Sequence, residues 1–126
     1  MNKIEVVKCP KDKAAVKKKI ENLVFDGNIK YITGSEFGGG LSLALNSENL
    51  PGYLDQFYSP AVLVIDDIEY FTGKTETQKV LFDVLKKRAI ENKRTIIFSM
   101  IEMEEIFDVN NVDLLSYLKE IDLEQY

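Results

Sequence analysis

Ala61-Val62-Leu63-Val64-Ile65-Asp66-Asp67 is the stretch that decides how the rest of this chain folds. Its first five positions are apolar without a break, the mark of a strand buried on both faces. Such strands sit inside parallel sheets, and helices then have to cover the sheet. The two acids fall at the C-terminal end of the strand, the edge where open α/β sheets bind ligands. There the first carboxylate is placed to hold a hydrated Mg²⁺ and the second to orient water. Taken alone the pattern does not separate a site from an ordinary strand end, because buried strands often finish in acids.

Working outward, short apolar runs alternate with helical patterns. Ile4-Glu5-Val6-Val7 reads as a strand stopped by Pro10. Asp12 is a cap for a helix whose Val16, Ile20, Leu23 and Val24 recur at helical spacing, and Asp26-Gly27-Asn28 ends it with turn chemistry. A second strand is expected over Ile29–Thr33. The stretch 35–58 is harder to read: short helices are expected at 41–45 and 53–57. Gly38-Gly39-Gly40 reads as a flexible loop, since no Lys, Ser or Thr follows it directly to make a phosphate cradle. Downstream, Thr75 and Gln78 have the spacing of a capping box, opening a helix with Val80, Leu81, Val84, Leu85 and Ala89 on one stripe. Thr95-Ile96-Ile97-Phe98 is another buried strand. A short acidic helix at 102–107, a helical turn at 112–118 and a last strand at 120–123 complete the reading. Strands separated by helices imply βαβ units and a parallel sheet in a single α/β domain, 1–126.

Composition narrows the chemistry. With 45% hydrophobic and 29% charged residues the chain has the balance of a soluble globular domain. Zero histidines remove Ser-His-Asp and Cys-His nucleophile activation, and with a single cysteine, Cys9, a structural zinc site is also out of reach. One cysteine and no membrane-length apolar run point to the cytoplasm. The net charge of −5 is uneven: residues 1–30 hold 8 lysines against 4 acids, and 102–126 hold 8 acids against one lysine. Overall acidity argues against binding duplex DNA over a broad face, while the lysine-rich start offers a surface to an acidic partner or a nucleic-acid strand.

Val62 to Asp67 has the form of a Walker B strand, and its flanks carry the resemblance further. Ile68-Glu69-Tyr70-Phe71-Thr72-Gly73-Lys74, Thr77-Gln78, Phe82 and Asn92-Lys93-Arg94-Thr95-Ile96-Ile97-Phe98-Ser99 resemble the DnaA family of bacterial replication initiators and its shorter relative Hda. Lys30-Tyr31-Ile32-Thr33-Gly34-Ser35-Glu36-Phe37 looks like the family's second strand and its following Glu-Phe. The resemblance implies a three-layer αβα, AAA+-like P-loop NTPase fold with a five-stranded parallel sheet in the order 5-1-4-3-2, here without a lid domain. It also implies that Ser99 stands at the sensor 1 position, and that Gly73-Lys74-Thr75 is the ordinary turn before the long helix.

The departures from the family are in the phosphate loop. Where a Walker A loop needs glycines and a Lys-Ser/Thr pair, this chain has Lys8-Cys9-Pro10-Lys11-Asp12-Lys13-Ala14. Pro10 deletes an N–H donor, Asp12 repels phosphate and Ala14 replaces the metal-binding hydroxyl. No arginine falls in 114–119, where the resemblance puts the arginine finger, and Arg88 and Arg94 read as surface residues. The expectation is therefore a non-catalytic DnaA/Hda-like protein, with no cofactor and a vestigial site of Lys11, Lys13, Asp66, Asp67 and Ser99. It would act by protein–protein interaction in regulating replication initiation, with DnaA or another replication protein as partner. The alternative is a weak Mg²⁺-dependent nucleotide binder or hydrolase whose metal ligands are Asp66 and Asp67. A third reading, single-strand DNA on the lysine-rich first helix, rests on charge alone.

Overall fold

Asp66 ends the third strand of a five-stranded sheet in the computed structural model, which describes residues 4–8, 18, 21–22, 28–100, 105 and 118–122. In chain order the elements are β1 (Ile4–Lys8), β2 (Ile29–Thr33), helices α1 (Gly34–Asn46) and α2 (Leu50–Tyr58), and β3 (Val62–Asp66). A 3₁₀ turn (Ile68–Phe71), helix α3 (Thr75–Ile90), β4 (Arg94–Ser99) and β5 (Leu118–Asp122) follow. The strands lie side by side as β2-β3-β4-β1-β5. Every pairing is parallel, with Leu63 opposite Thr95 and Val6 opposite Ile97. The α/β class with a parallel sheet is as the apolar strands foretell.

Leu63, Val64 and Ile65 are each 1% exposed or less, so both faces of β3 are buried. One face carries Ile4, Val6, Ile32, Leu63, Ile65 and Ile97 into a core shared with α1, α2, α3 and the 3₁₀ turn. Successive strand residues point to opposite sides, so Val7, Val64, Ile96 and Phe98 are buried on the other. Burying a side chain of this size contributes roughly 1.5–3 kcal/mol, which is why the strands survive in an acidic, lysine-rich chain. The helix expected over 12–24 lies outside the described residues, apart from Lys18, Glu21 and Asn22; Lys18 and Glu21–Asn22 are helical and exposed.

Residues 35–58 depart from the expectation. Instead of a glycine loop followed by two short helices, α1 runs from Gly34 through Gly38, Gly39 and Gly40 to Asn46, and α2 spans Leu50–Tyr58. Glycine disfavours a helix by about 1 kcal/mol per position relative to Ala, so something must offset it. One contribution is a complete capping box: Thr33 Oγ1 accepts from the Glu36 N–H, and Glu36 Oε1 accepts from the Thr33 N–H at 3.1 Å. The other is close packing. A Cβ at Gly38 would lie 2.5 Å from the Tyr70 hydroxyl, and one at Gly40 would lie 2.6 Å from the Tyr53 ring. The Tyr53 hydroxyl donates to the Phe37 carbonyl at 2.7 Å, and Phe37 packs on Phe57 and Phe71 at ring distances of 5.2 and 5.8 Å. The glycines make room for two tyrosines; they are not a loop.

Three smaller corrections concern α3 and the sheet ends. The expected capping box at Thr75 is not formed: the Gly73 turn (φ 74°) makes Lys74 the N-cap, with no side-chain cap bond, and Gln78 Nε2 instead donates to the Phe71 carbonyl at 2.6 Å. Arg88, expected on the surface, is 0% exposed. Its guanidinium donates to the carbonyls of Phe57, Pro60 and Arg94 at 2.6–2.8 Å and to Thr95 Oγ1 at 2.9 Å, so the end of α2, the turn before β3 and the start of β4 supply the acceptors that make burial tolerable. Burial lowers its pKa to about 10, which leaves it charged at neutral pH. Arg94 is the surface member of the pair, in a two-pronged bond to Glu5 at 2.9 and 3.1 Å. Finally, the last strand is Leu118–Asp122, two residues earlier at its start than expected, so Leu118 belongs to a strand and not to a helical turn.

Candidate functional site

The carboxyl ends of the parallel strands define one edge, and the candidate residues emerge there because of register. Ile65 pairs with Ile97, so β3 and β4 finish on adjacent strands with Asp66 and Ser99 one and two residues past that pair, and Ser99 in turn pairs with Lys8. Ser99 is 1% exposed, while Asp66 and Asp67 are half-buried. Asp67 adopts the left-handed conformation (φ 56°, ψ 46°), which Asp tolerates better than most residues, and this swings the chain from β3 into the 3₁₀ turn. Gly34 is what lets α1 start beside this corner: a Cβ there would meet the Asp67 carbonyl at 2.3 Å.

Both carboxylate oxygens of Asp66 accept hydrogen bonds. Oδ1 accepts from the Asp67 N–H at 2.8 Å, and Oδ2 accepts from the Tyr31 hydroxyl at 3.3 Å. Burial first, then the Asp66 charge and this bond, push the Tyr31 phenol up to about 12. Beyond the corner, Glu69 Oε1 accepts from the Met100 N–H at 2.7 Å, tying the turn after Asp67 to the residue after Ser99. Among the described residues no group of three or more His, Cys, Asp or Glu side chains is placed to hold a metal. Asp66 and Asp67 alone would be a carboxylate pair that needs further oxygens from a phosphate or water to hold Mg²⁺.

Of the residues read from the sequence as a site, the fold brings Asp66, Asp67 and Ser99 to the same edge. Lys11 and Lys13 lie outside the described residues, as do 114–117 of the arginine-finger segment; Lys119 lies in β5. Gly73-Lys74-Thr75 is the turn into α3. Sequence reasoning missed Tyr31, Gly34 and Glu69. The Thr33–Glu36 spacing was a readable signal for the helix start, but nothing local marks Tyr31 as a partner of Asp66, 35 positions away.

Residues 13–117 match the family described as the bacterial DnaA ATPase domain. The chain belongs to that family. It is 27% identical over 84 residues, 67% of its length, to the chromosomal replication initiator protein DnaA of Thermodesulfovibrio yellowstonii, and spans 19% of that relative. Its fold is similar to domain III of the Thermotoga maritima replication initiation protein DnaA, with a TM-score of 0.75 at 20% identity, over 94% of this chain and 53% of that one. It is also similar to a replication initiator DnaA bound to AMPPCP and single-stranded DNA, with a TM-score of 0.73 at 16% identity, over 96% of this chain and 40% of that one. Within this DnaA-family core, Asp66 and Asp67 therefore stand at the end of the strand that carries the Walker B form. Among the described residues no helix is long and apolar enough to cross a membrane.

Proposed function

We propose that this chain is a DnaA-like domain that acts by binding protein, not by turning over ATP, in the control of replication initiation. The observation that carries the reading is the segment after β1. A triphosphate needs successive backbone N–H groups, a lysine and a metal-binding hydroxyl, and Lys8-Cys9-Pro10-Lys11-Asp12-Lys13-Ala14 offers no glycine, one deleted N–H and an alanine where the hydroxyl belongs. The bonds that Asp66 accepts from Tyr31 and Asp67 support it, since a carboxylate already engaged has less to offer a hydrated cation. Without the loop, Asp66 and Asp67 do not make a fitting nucleotide–Mg²⁺ site. What remains is a parallel sheet with α1, α2 and α3 on one face, in the cytoplasm, whose partner is a DnaA-type initiator or another replication protein.

Calorimetry and pull-down with a DnaA-type initiator test this directly. Saturable binding at micromolar concentration is expected, and its absence would sink the reading. The second reading, a weak Mg²⁺-dependent nucleotide binder or hydrolase, is favoured by the paired carboxylates kept at the sheet edge. Titrating ATP with Mg²⁺ into the wild-type protein and Asp66→Ala separates the two: binding or turnover that disappears in the variant makes the protein a nucleotide site after all. Direct binding of single-stranded DNA, seen for the DnaA relative, would show as an affinity that falls steeply with salt.

A further inference from the structure

Of the three consecutive glycines in α1, only two have a packing reason inside the chain. Gly38 admits Tyr70 and Gly40 admits Tyr53, whereas a Cβ at Gly39 would meet nothing within 4 Å. Gly39 is exposed, so its small size does nothing for the described core and costs the helix about 1 kcal/mol relative to alanine. One turn on, Leu43 is 71% exposed. Helical spacing puts both on the stripe that carries exposed Ser35, Ser42 and Asn46, turned away from the buried Phe37, Leu41 and Ala44. That stripe is neutral. No charged residue falls between Glu36 and Glu48, the Glu36 carboxylate accepts from the Thr33 N–H, and Lys74 is held aside over the Tyr70 ring at 4.3 Å.

A knob and a notch one turn apart on the same stripe complement each other across a two-fold axis. Two copies of α1 laid antiparallel about an axis level with Leu41 set Leu43 of each against Gly39 of the other. The same arrangement sets Ser42 against Gly40, and the Asn46 amide against the Glu36 carboxylate, so no two large side chains compete for one place. A parallel pair would instead set Leu43 on Leu43 and leave the notch empty. Other occupants gain less: with no charge on the stripe neither an acidic nor a basic partner is selected, and a nucleic-acid strand finds no cation. We infer that two copies of this chain pair through the outer face of α1, antiparallel, with Leu43 as the knob and Gly39 as the notch. Helix α1 has 13 residues and is about 20 Å long, so the contact falls short of the roughly 1,200 Å² of a stable interface. The dimer is therefore weak, forming above about 100 μM. This pairing goes beyond the replication-protein reading and does not depend on it.

Sedimentation velocity from about 5 μM to about 1 mM tests it, beside amide spectra recorded over the same dilution. The mass should rise from monomer to dimer, and the resonances of Ser35, Gly39, Ser42, Leu43 and Asn46 should move with concentration while those of α3 stay. Gly39→Gln fills the notch with a helix-favouring side chain, and Leu43→Gln removes the knob; both sites are too exposed to unfold the domain. Each should weaken pairing at least about tenfold, because a two-fold contact loses the feature twice. Leu45→Gln is the control: Leu45 is 56% exposed but lies round the helix from the stripe, and its loss should leave pairing unchanged. A monomer at every concentration, a dimer indifferent to Gly39→Gln and Leu43→Gln, or an equal loss with Leu45→Gln would each overturn the assignment. Initiator binding by a chain that never dimerises leaves the replication-protein reading standing while the pairing fails; a dimer that binds no initiator does the reverse.

Discussion

Helices α1 and α3 both pack into the core on the same face of the sheet, yet they are built on opposite principles. Helix α3 follows amphipathic logic, with Leu81, Val84, Leu85 and Ala89 buried on one stripe and Lys79, Asp83 and Lys87 outside. Helix α1 is held by what its glycines admit: Tyr70 against Gly38, Tyr53 against Gly40 and the Asp67 carbonyl against Gly34. Even α3 breaks its own pattern, at Gln78 and at Arg88, where a cation is buried among the carbonyl oxygens of Phe57, Pro60 and Arg94. A periodic stripe thus reports burial reliably, whereas a small side chain or a long polar one reports it only through its neighbours.

Substitutions sharpen this contrast. The largest effect is expected at Arg88. Arg88→Met keeps the length but takes the guanidinium donors away from the carbonyls of Phe57, Pro60 and Arg94, so denaturant unfolding should show a loss of about 4 kcal/mol. A loss below about 1 kcal/mol would mean that water reaches those carbonyls and that Arg88 is not the exception described.

Gly34→Ala comes next. Its Cβ would press on main chain that cannot swing away, at 2.3 Å from the Asp67 carbonyl, and overpacking of this kind costs about 1–3 kcal/mol. Because the clash falls on the corner that carries Asp67, the amide resonances of 66–70 should shift more than those of α3. Gly39→Ala runs the other way. That position is exposed and a Cβ there meets nothing within 4 Å, so removing the glycine from the helix should stabilise the protein by about 0.5–1 kcal/mol. If both alanines destabilise equally, the packing account of α1 is wrong.

The smallest effect is in alkaline solution. Tyr31 and Tyr53 are both raised to about 12, Tyr31 by burial and then the Asp66 charge, Tyr53 by burial and then Glu36. A phenol whose folded pKa exceeds its unfolded value near 10 contributes stability that is full below pH 10 and lost as pH rises through 12. Ultraviolet phenolate titration should find both ionising above the ordinary range, and Asp66→Asn should bring Tyr31 down while leaving Tyr53 in place.

Much of the fold was legible because buried parallel strands declare themselves. β2 was read to the residue, and β1, β3 and β4 to within one residue at each end, since an unbroken apolar run has few other stable places to go. That Asp66, Asp67 and Ser99 lie at one edge of the sheet was legible for the same reason: they follow directly from where those strands stop. Residues 35–58 were not, because Gly38-Gly39-Gly40 has the local signature of a loop and the opposing tyrosines come from Tyr53 and Tyr70, far along the chain.

By itself, the sequence determined the parallel α/β class, the carboxylate pair at the sheet edge and a segment after β1 with no glycine, all of which depend on local residue type and order. Only the tertiary structure decided that a glycine run is a helix face, that Arg88 lies inside while Arg94 lies outside, and that Tyr31 closes on Asp66. Those outcomes depend on which atoms distant segments bring together, and a side chain's burial is set by that company.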